Sequence, residues 1–174
     1  PLQPISSYGI VKVAIESFIA REQRNGLLPV VLRTANVYGP QQPVSRVSGF
    51  INTLLDCLGR GKPFELMGDG SVVRDFLHVR DIADLCQSAL SATAPVTVNA
   101  GSGQGRSLLQ VIALAEQVTG RRPHLIARPG RGLDLPVSVL DIRRAQQVFG
   151  WQPKVSLRDG LAETWNWVRS QVSP

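Results

Sequence analysis

The sequence contains few of the residues that build disulfide frameworks and metal centres. Its 174 residues include two cysteines and two histidines. Cys57 and Cys86 each lie in an apolar, helix-like stretch, which predicts buried free thiols in a reducing cytoplasm. Because no cysteine or carboxylate group stands at ligand spacing from His78 or His124, we predict no metal site.

Long hydrophobic runs are also missing. No apolar run approaches the ~20 residues of a membrane span, and the start of the chain, PLQP, lacks the basic and apolar stretches of a signal peptide. Hydrophobic residues nevertheless make up 43% of the chain, enough for a core. We therefore expect a soluble, cytoplasmic protein with no membrane contact, built as one domain or as one domain and a remnant.

The net charge of +6 leaves three classes of partner open: nucleic acid, anionic lipid and a phosphorylated ligand. The arginines are dispersed apart from the pairs at 121–122 and 143–144, and no aromatic side chains interleave with these pairs as a base-stacking surface requires. We therefore predict no nucleic-acid partner. A diphosphate ligand, or the loss of a more acidic half, accounts for the charge.

Hydrophobic periodicity predicts helices and strands in alternation, which is the pattern of an α/β fold. Predicted helices cover residues 7–24, 47–58, 81–90, 108–119, 142–149 and the stretch after Ser156. Predicted strands cover residues 28–32, 64–67, 75–79, 96–99 and 124–127. Ser107 and Ser156 are candidate helix N-caps. The order suggests the end of a Rossmann-type sheet (1–45) joined to a smaller mixed α/β lobe (46–174).

The chemistry-bearing pair of the first helix is Tyr8 and Lys12. Residues four apart share a helix face, so the ammonium lies beside the phenol. A neighbouring cation favours the ionised phenolate, which can exchange a proton with a substrate hydroxyl. Taken alone, the spacing also occurs by chance on an amphipathic helix.

Six segments, in order along nearly the whole chain, match one family. They are SSYGIVK (6–12), LRTANVYGP (32–40), GDGSVVRDFLHV (68–79), NAGSG (99–103), the pair RPG (128–130) and DLP (134–136), and GWQP (150–153). Together they resemble the extended short-chain dehydrogenases/reductases, specifically the C-terminal portion of NAD-dependent nucleotide-sugar epimerases and dehydratases. The resemblance implies that Tyr8 is the catalytic acid/base and that Lys12 holds the nicotinamide ribose. It also implies that Tyr8, Lys12 and Thr34 bind NAD.

The resemblance further implies a diphosphate site. Asn36 would donate to the diphosphate, and Arg74 and Arg128 would neutralise it, because guanidinium forks suit phosphate oxygens. Without the resemblance, Arg74 reads as half of a surface ion pair with Asp75, Asn36 as a turn residue and Arg128 as a solvated loop residue.

Three further residues would contact the rest of the nucleotide sugar. Leu66 would flank the base, Asp134 would accept hydrogen bonds from the ribose hydroxyls, and Ser138 would lie near the C2 substituent of the sugar. The insertion 131–133 separates Asp134 from the preceding RPG. A small residue at Ser138 leaves room for an acetamido group, which predicts that UDP-N-acetylhexosamines are accepted.

The glycines at 101, 103 and 105 imitate a dinucleotide-binding fingerprint. We read them as a turn into the Ser107 cap, because Arg106 stands where the third glycine of the fingerprint belongs. The family's own Gly-rich turn, and the third member of its catalytic set, would lie before Pro1. We therefore expect this chain to be a fragment that is inactive alone, from a parent that forms a homodimer.

The function expected of the parent is NAD-dependent inversion at C4 of a UDP-hexose. A nucleotide-sugar 4,6-dehydratase or a reductase is the alternative within the same class. A non-catalytic module that binds nucleotide sugars or proteins is the alternative of another class.

Overall fold

The computed structural model describes residues 2–43, 49–130 and 135–172. The helices in these ranges are α1 (Ser7–Glu22), α2 (Phe50–Arg60), α3 (Val79–Ala89), α4 (Leu108–Thr119), α5 (Arg143–Phe149) and α6 (Leu157–Gln171). The strands are β1 (Val30–Thr34), β2 (Asn36–Tyr38), β3 (Phe64–Met67), β4 (Val73–His78), β5 (Val96–Ala100), β6 (Gly105–Ser107), β7 (Leu125–Arg128) and β8 (Val137–Ser138). The predicted α/β class is confirmed.

The strands form three small sheets. β1 pairs with β5 and β3 pairs with β7, both in parallel. In the third sheet β4 is central: it pairs in parallel with β2 and β8 and antiparallel with β6. Two strand pairs, β1 with β5 and β2 with β4, join residues before position 45 to residues after position 46. The predicted division of the chain between residues 45 and 46 stays a prediction.

The core has two parts, one on each side of β4. Phe76 packs in the larger cluster with helices α2, α4 and α6, among others against Leu54, Val111 and Trp165. The next residue of β4, Leu77, packs in the smaller cluster with Leu85, Val98, Ala100, Ala145 and Trp151. Because successive strand side chains point to opposite faces, one strand fills both clusters.

The predicted caps form as expected. The Ser107 hydroxyl accepts from the N–H of Gln110, and the Gln110 side chain accepts from the N–H of Ser107, which completes a capping box at the start of α4. Ser156 caps α6 by accepting from the N–H of Asp159. These contacts satisfy N–H groups that have no partner inside the helix.

The structure corrects several sequence predictions. β2, β6 and β8 were not predicted, and α3 begins directly after β4, with His78 as its N-cap. The predicted start of α2 at residue 47 lies outside the described residues. Both cysteines are free, but Cys86 is exposed and Cys57 only half-buried, where burial raises the pKa of its thiol. Cys86 is exposed because the buried face of α3 includes Asp81 and Leu85 but does not extend to Cys86.

Gly160 on α6 is required by close packing against β2. A Cβ added there would overlap the buried hydroxyl of Tyr38 and lie 2.9 Å from Cζ of the same ring. The ring cannot move aside, because Tyr38 is 3% exposed and its edge packs on His78.

We predict that Gly160→Ala lowers the free energy of unfolding by about 1–3 kcal/mol, although alanine favours helices. Urea denaturation of the 174-residue chain measures this. The double variant Tyr38→Phe/Gly160→Ala should lose less, because it lacks the hydroxyl that overlaps. A single variant as stable as the wild type would contradict the packing argument.

Candidate active site

Tyr8 and Lys12 lie one turn apart on α1, as their spacing predicts. The Lys12 Nζ is 5.2 Å from the centroid of the Tyr8 ring, and the Tyr8 side chain is 72% exposed. The helix begins at a defined cap, since Ser6 Oγ accepts from the N–H of Gly9 at 3.1 Å. The phenol and the ammonium are therefore both presented to a ligand.

The pair opens into a cleft of about 500 Å³ between α1 and β1. Thr34, at the exposed end of β1, lines the same cleft. The structure thus brings together the three residues predicted to bind the cofactor. Their hydroxyls and ammonium suit the ribose hydroxyls of a nucleotide.

An ion pair that the sequence analysis missed ties α1 to β1 beside this cleft. Arg33 donates to both carboxylate oxygens of Glu16, from Nε at 2.8 Å and from Nη2 at 2.6 Å. The hydrogen bonds from Arg33 hold the pKa of the Glu16 carboxyl below its ordinary value. Tyr8, Lys12 and Glu16 follow one another at intervals of four, which could have identified Glu16 as a member of the same helix face.

Arg74 lies in a row across the central sheet. Its Cα partner is Ser138 on β8 on one side and Arg106 on β6 on the other. Its Nη1 donates to the carbonyl oxygens of Val73 at 2.9 Å and Leu135 at 2.7 Å. The structure therefore brings the predicted residues Arg74 and Ser138 together. It adds Arg106, which the sequence analysis missed because β6 was read as a turn.

Asn36 joins this group from β2. Its Nδ2 donates to the backbone carbonyl of Asp75 at 2.9 Å, so the amide is held against β4. The residue is exposed, and Nδ2 carries a second hydrogen that can donate to a ligand.

Leu66 and Arg128 lie on the separate β3–β7 sheet. Leu66 is buried in the larger core, so any contact with a base would come from its backbone or from its exposed neighbours Glu65 and Met67. Arg128 pairs with the Glu65 carboxylate at 2.5 Å. Both partners of this pair are about half exposed, so an anionic ligand can compete for the guanidinium. Asp134 lies outside the described residues.

The described ranges contain neither a group of side chains that could hold a metal ion nor a helix that could span a membrane. Among those residues no group of three His, Cys, Asp or Glu side chains is placed to hold a metal ion. No helix within them is long and apolar enough to cross a membrane.

Comparison with known proteins identifies the family. Residues 1–101 match the model of the NAD dependent epimerase/dehydratase family. The UDP-glucose 4-epimerase of Mycolicibacterium smegmatis is 31% identical over 173 residues, which cover 98% of this chain and 55% of that protein. The chain therefore belongs to the NAD-dependent epimerase/dehydratase family, which confirms the resemblance.

Solved structures agree with this assignment. The Thermotoga maritima UDP-glucose 4-epimerase bound to UDP-glucose superposes with a TM-score of 0.93 at 34% identity, over 98% of this chain and 56% of that one. The Thermus thermophilus UDP-glucose 4-epimerase in complex with NAD gives a TM-score of 0.90 at 31% identity, over 97% and 56%. The fold is thus that of the C-terminal portion of a Rossmann-type epimerase. The chain spans about half the length of these relatives.

We predict that the tie between α1 and β1 weakens in acid. Because the pKa of Glu16 is depressed in the folded chain, the stabilisation from its pair with Arg33 is complete above the ordinary carboxyl pKa. It is lost as the pH falls through the lower, folded value. Hydrogen exchange of the α1 amides, corrected for the intrinsic rate at each pH, should show this loss of protection.

Glu16→Gln is the control for this experiment, because it removes the titrating group while keeping the side-chain shape. Its α1 amides should exchange faster than those of the wild type at neutral pH and no faster at low pH. Equal protection of the two proteins at neutral pH would show that the pair does not hold the helix.

Proposed function

We propose that this chain supplies the acid/base pair and the nucleotide-sugar lobe of an enzyme that inverts C4 of a UDP-hexose or UDP-N-acetylhexosamine with NAD as cofactor. The observation that carries the proposal is the shared cleft of Tyr8, Lys12 and Thr34. The cleft lies in a chain that superposes at a TM-score of 0.93 on an epimerase bound to UDP-glucose.

The residues of the cleft fit one end of NAD. Two hydroxyls and an ammonium suit the nicotinamide ribose, and Lys12 would hold that ribose from α1. When bound, NAD supplies a reversible acceptor for hydride. Among the described residues, no Gly-rich turn precedes a helix in a way that would bind the pyrophosphate, so this chain offers only part of a cofactor site.

Tyr8 would move the proton. In its phenolate form, with Lys12 beside the ring stabilising the negative charge, its exposed oxygen would accept the proton of the C4 hydroxyl while C4 is oxidised. After the sugar has turned its other face to the cofactor, the same phenol would return the proton. The stereochemistry inverts because hydride returns to the opposite face.

The nucleotide sugar would be held along β4 and the β3–β7 sheet. Arg74 and Arg128 would bind the diphosphate, with Asn36 as an additional donor, since charge-assisted bonds from guanidinium groups to phosphate are strong. Asp134 is assigned to the ribose and Leu66 to the base. Ser138, next to Arg74, is assigned to the C2 substituent of the sugar, where a hydroxymethyl side chain leaves space for an acetamido group.

A nucleotide-sugar dehydratase is the second candidate. The family model that matches residues 1–101 covers dehydratases as well as epimerases. Both reactions begin with the same oxidation at C4, so Tyr8 and Lys12 would serve either one.

The exposed apolar side chains of α1, including Ile10, Val11 and Phe18, support a homodimer of the whole protein.

We predict that the 174-residue chain binds UDP but shows neither micromolar affinity for NAD nor turnover of UDP-sugars. Most of the proposed nucleotide-sugar residues lie on its own strands, whereas the described residues include only three that are proposed to contact the cofactor. Titration calorimetry with UDP and with NAD measures both affinities. Arg74→Ala should raise the dissociation constant for UDP at least about tenfold, the effect of losing a charge-assisted bond.

Arg24→Ala, in the turn that follows α1, removes the same charge and should leave UDP binding unchanged. A chain that binds no UDP would overturn the assignment of the lobe. Tight NAD binding would overturn the division of the cofactor site.

We also predict that Tyr8→Phe in the whole enzyme lowers kcat by roughly 10²–10⁴, the range for loss of a general acid/base. Substrate affinity should change little, because the ring remains. Tyr38→Phe removes the chain's other phenol and is the control, with turnover per folded molecule kept. A Tyr8→Phe enzyme within twofold of wild type would show that another group carries the proton.

A further inference from the structure

Asp75 is a buried carboxylate with an unusual set of partners. It is 1% exposed. Its Oδ1 accepts from the backbone N–H of Ser102 at 2.8 Å and from the Ser102 hydroxyl at 2.5 Å. Its Oδ2 accepts from the N–H groups of Gly103 at 3.1 Å and Leu140 at 3.3 Å. One side chain on β4 therefore binds two segments that come much later in the chain.

The loop after β5 is fitted to this carboxylate. A Cβ added at Gly101 would overlap Asp75 Oδ2 and would lie 3.0 Å from the Cβ of Leu140. No side chain fits there, so the loop backbone passes directly over the carboxylate.

Three of the residues proposed to bind the nucleotide sugar lie at or beside Asp75. Asn36 donates to its carbonyl oxygen, Arg74 precedes it on β4, and Ser138 is the Cα partner of Arg74. Leu140, which donates to the Asp75 carboxylate, lies two residues after Ser138. The bond between Leu140 and Asp75 thus ties the chain to β4 two residues after Ser138.

Few other bonds hold the Ser138 segment. β8 is two residues long. Just before it, Val73 N–H donates to the carbonyl of Pro136 at 2.8 Å and Arg74 Nη1 donates to that of Leu135 at 2.7 Å. On the far side, Asn99 Nδ2 donates to the carbonyl of Asp141 at 3.0 Å. So short a strand has little pairing of its own to fix its register.

We propose that Asp75 is a positioning residue, whose carboxylate holds the Ser138 segment in register with Arg74 and so shapes the sugar end of the nucleotide-sugar site. The inference rests on the proposed function. It assigns Asp75 no contact with substrate.

The substitution Asp75→Asn tests this role, because asparagine has nearly the same size and shape as aspartate. A carboxylate only accepts hydrogen bonds, whereas an amide carries two donors on one of its two terminal atoms. If the amide oxygen of Asp75→Asn keeps the bonds to Ser102, its NH₂ faces the N–H groups of Gly103 and Leu140. Those two donors lose their acceptor, and the Ser138 segment is released from β4.

The experiment compares UDP with UDP-N-acetylglucosamine on the 174-residue chain by titration calorimetry. In the wild type the sugar should strengthen binding. In Asp75→Asn the dissociation constant for UDP should stay within about threefold, since β4 keeps its pairing with β2 and β6. The ratio of the dissociation constant for UDP to that for UDP-N-acetylglucosamine, which measures the advantage of the sugar, should fall close to one. Asp159→Asn, another carboxylate that accepts from a serine hydroxyl, is the matched control and should keep that advantage.

A purely structural role gives a different result. Loss of stability lowers the folded fraction and weakens both ligands equally, which leaves the ratio of the two dissociation constants unchanged. An unchanged ratio in Asp75→Asn overturns the inference, and so does a wild type that binds UDP with no advantage from the sugar. A wild type that binds no UDP overturns the proposed function itself.

If Asp75→Asn does not fold, Leu140→Pro carries the test. Proline has no N–H, so it removes the bond from Leu140 to Asp75 Oδ2 and leaves the buried carboxylate with its donors at Ser102 and Gly103. A reduced sugar advantage with unchanged UDP affinity supports the inference. An unchanged advantage overturns it.

Discussion

The arrangement of the lobe depends on the hydrogen bonding of two buried carboxylates, Asp75 at the middle of β4 and Asp81 in the first turn of α3. A buried charge is costly unless donors surround it. Asp75 obtains its donors from the loops at 102–103 and 140, and Asp81 from the N–H groups of Lys154 and Val155. The Trp151 indole also donates to the Asp81 carbonyl, so the segment before α6 is held in the same way. These hydrogen bonds therefore attach several segments of the later half of the chain to β4 and α3.

How much of the fold could be predicted from the sequence depends on the range of each interaction. The start of α4 could be predicted because its capping box joins residues three apart, Ser107 and Gln110. β2, β6 and β8 could not, because each has only two or three residues and exists through pairing with β4. A pattern read along the chain contains no information on which distant segment completes a short strand.

The candidate site shows the same limit. Motif order identified Asn36, Arg74 and Ser138, and the structure brings these three to neighbouring strands. The support behind them joins β4 to positions 27 and 65 residues away, which no local motif reveals. The inward direction of Leu66 was predictable, since the alternation along β3 places Phe64 and Leu66 on one face and Glu65 and Met67 on the other.

None of the 16 residues of α1 is buried, which affects the motion of Tyr8 and Lys12. A helix of this length is marginal in water without tertiary packing. The free energy of opening α1 should therefore be far below that of the whole lobe, so that the helix opens as a separate cooperative unit while α2, α4 and α6 stay closed. Any surface that packs on Ile10, Val11 and Phe18 would raise that opening energy. The phenol of Tyr8 would then become ordered in the same event that covers its helix.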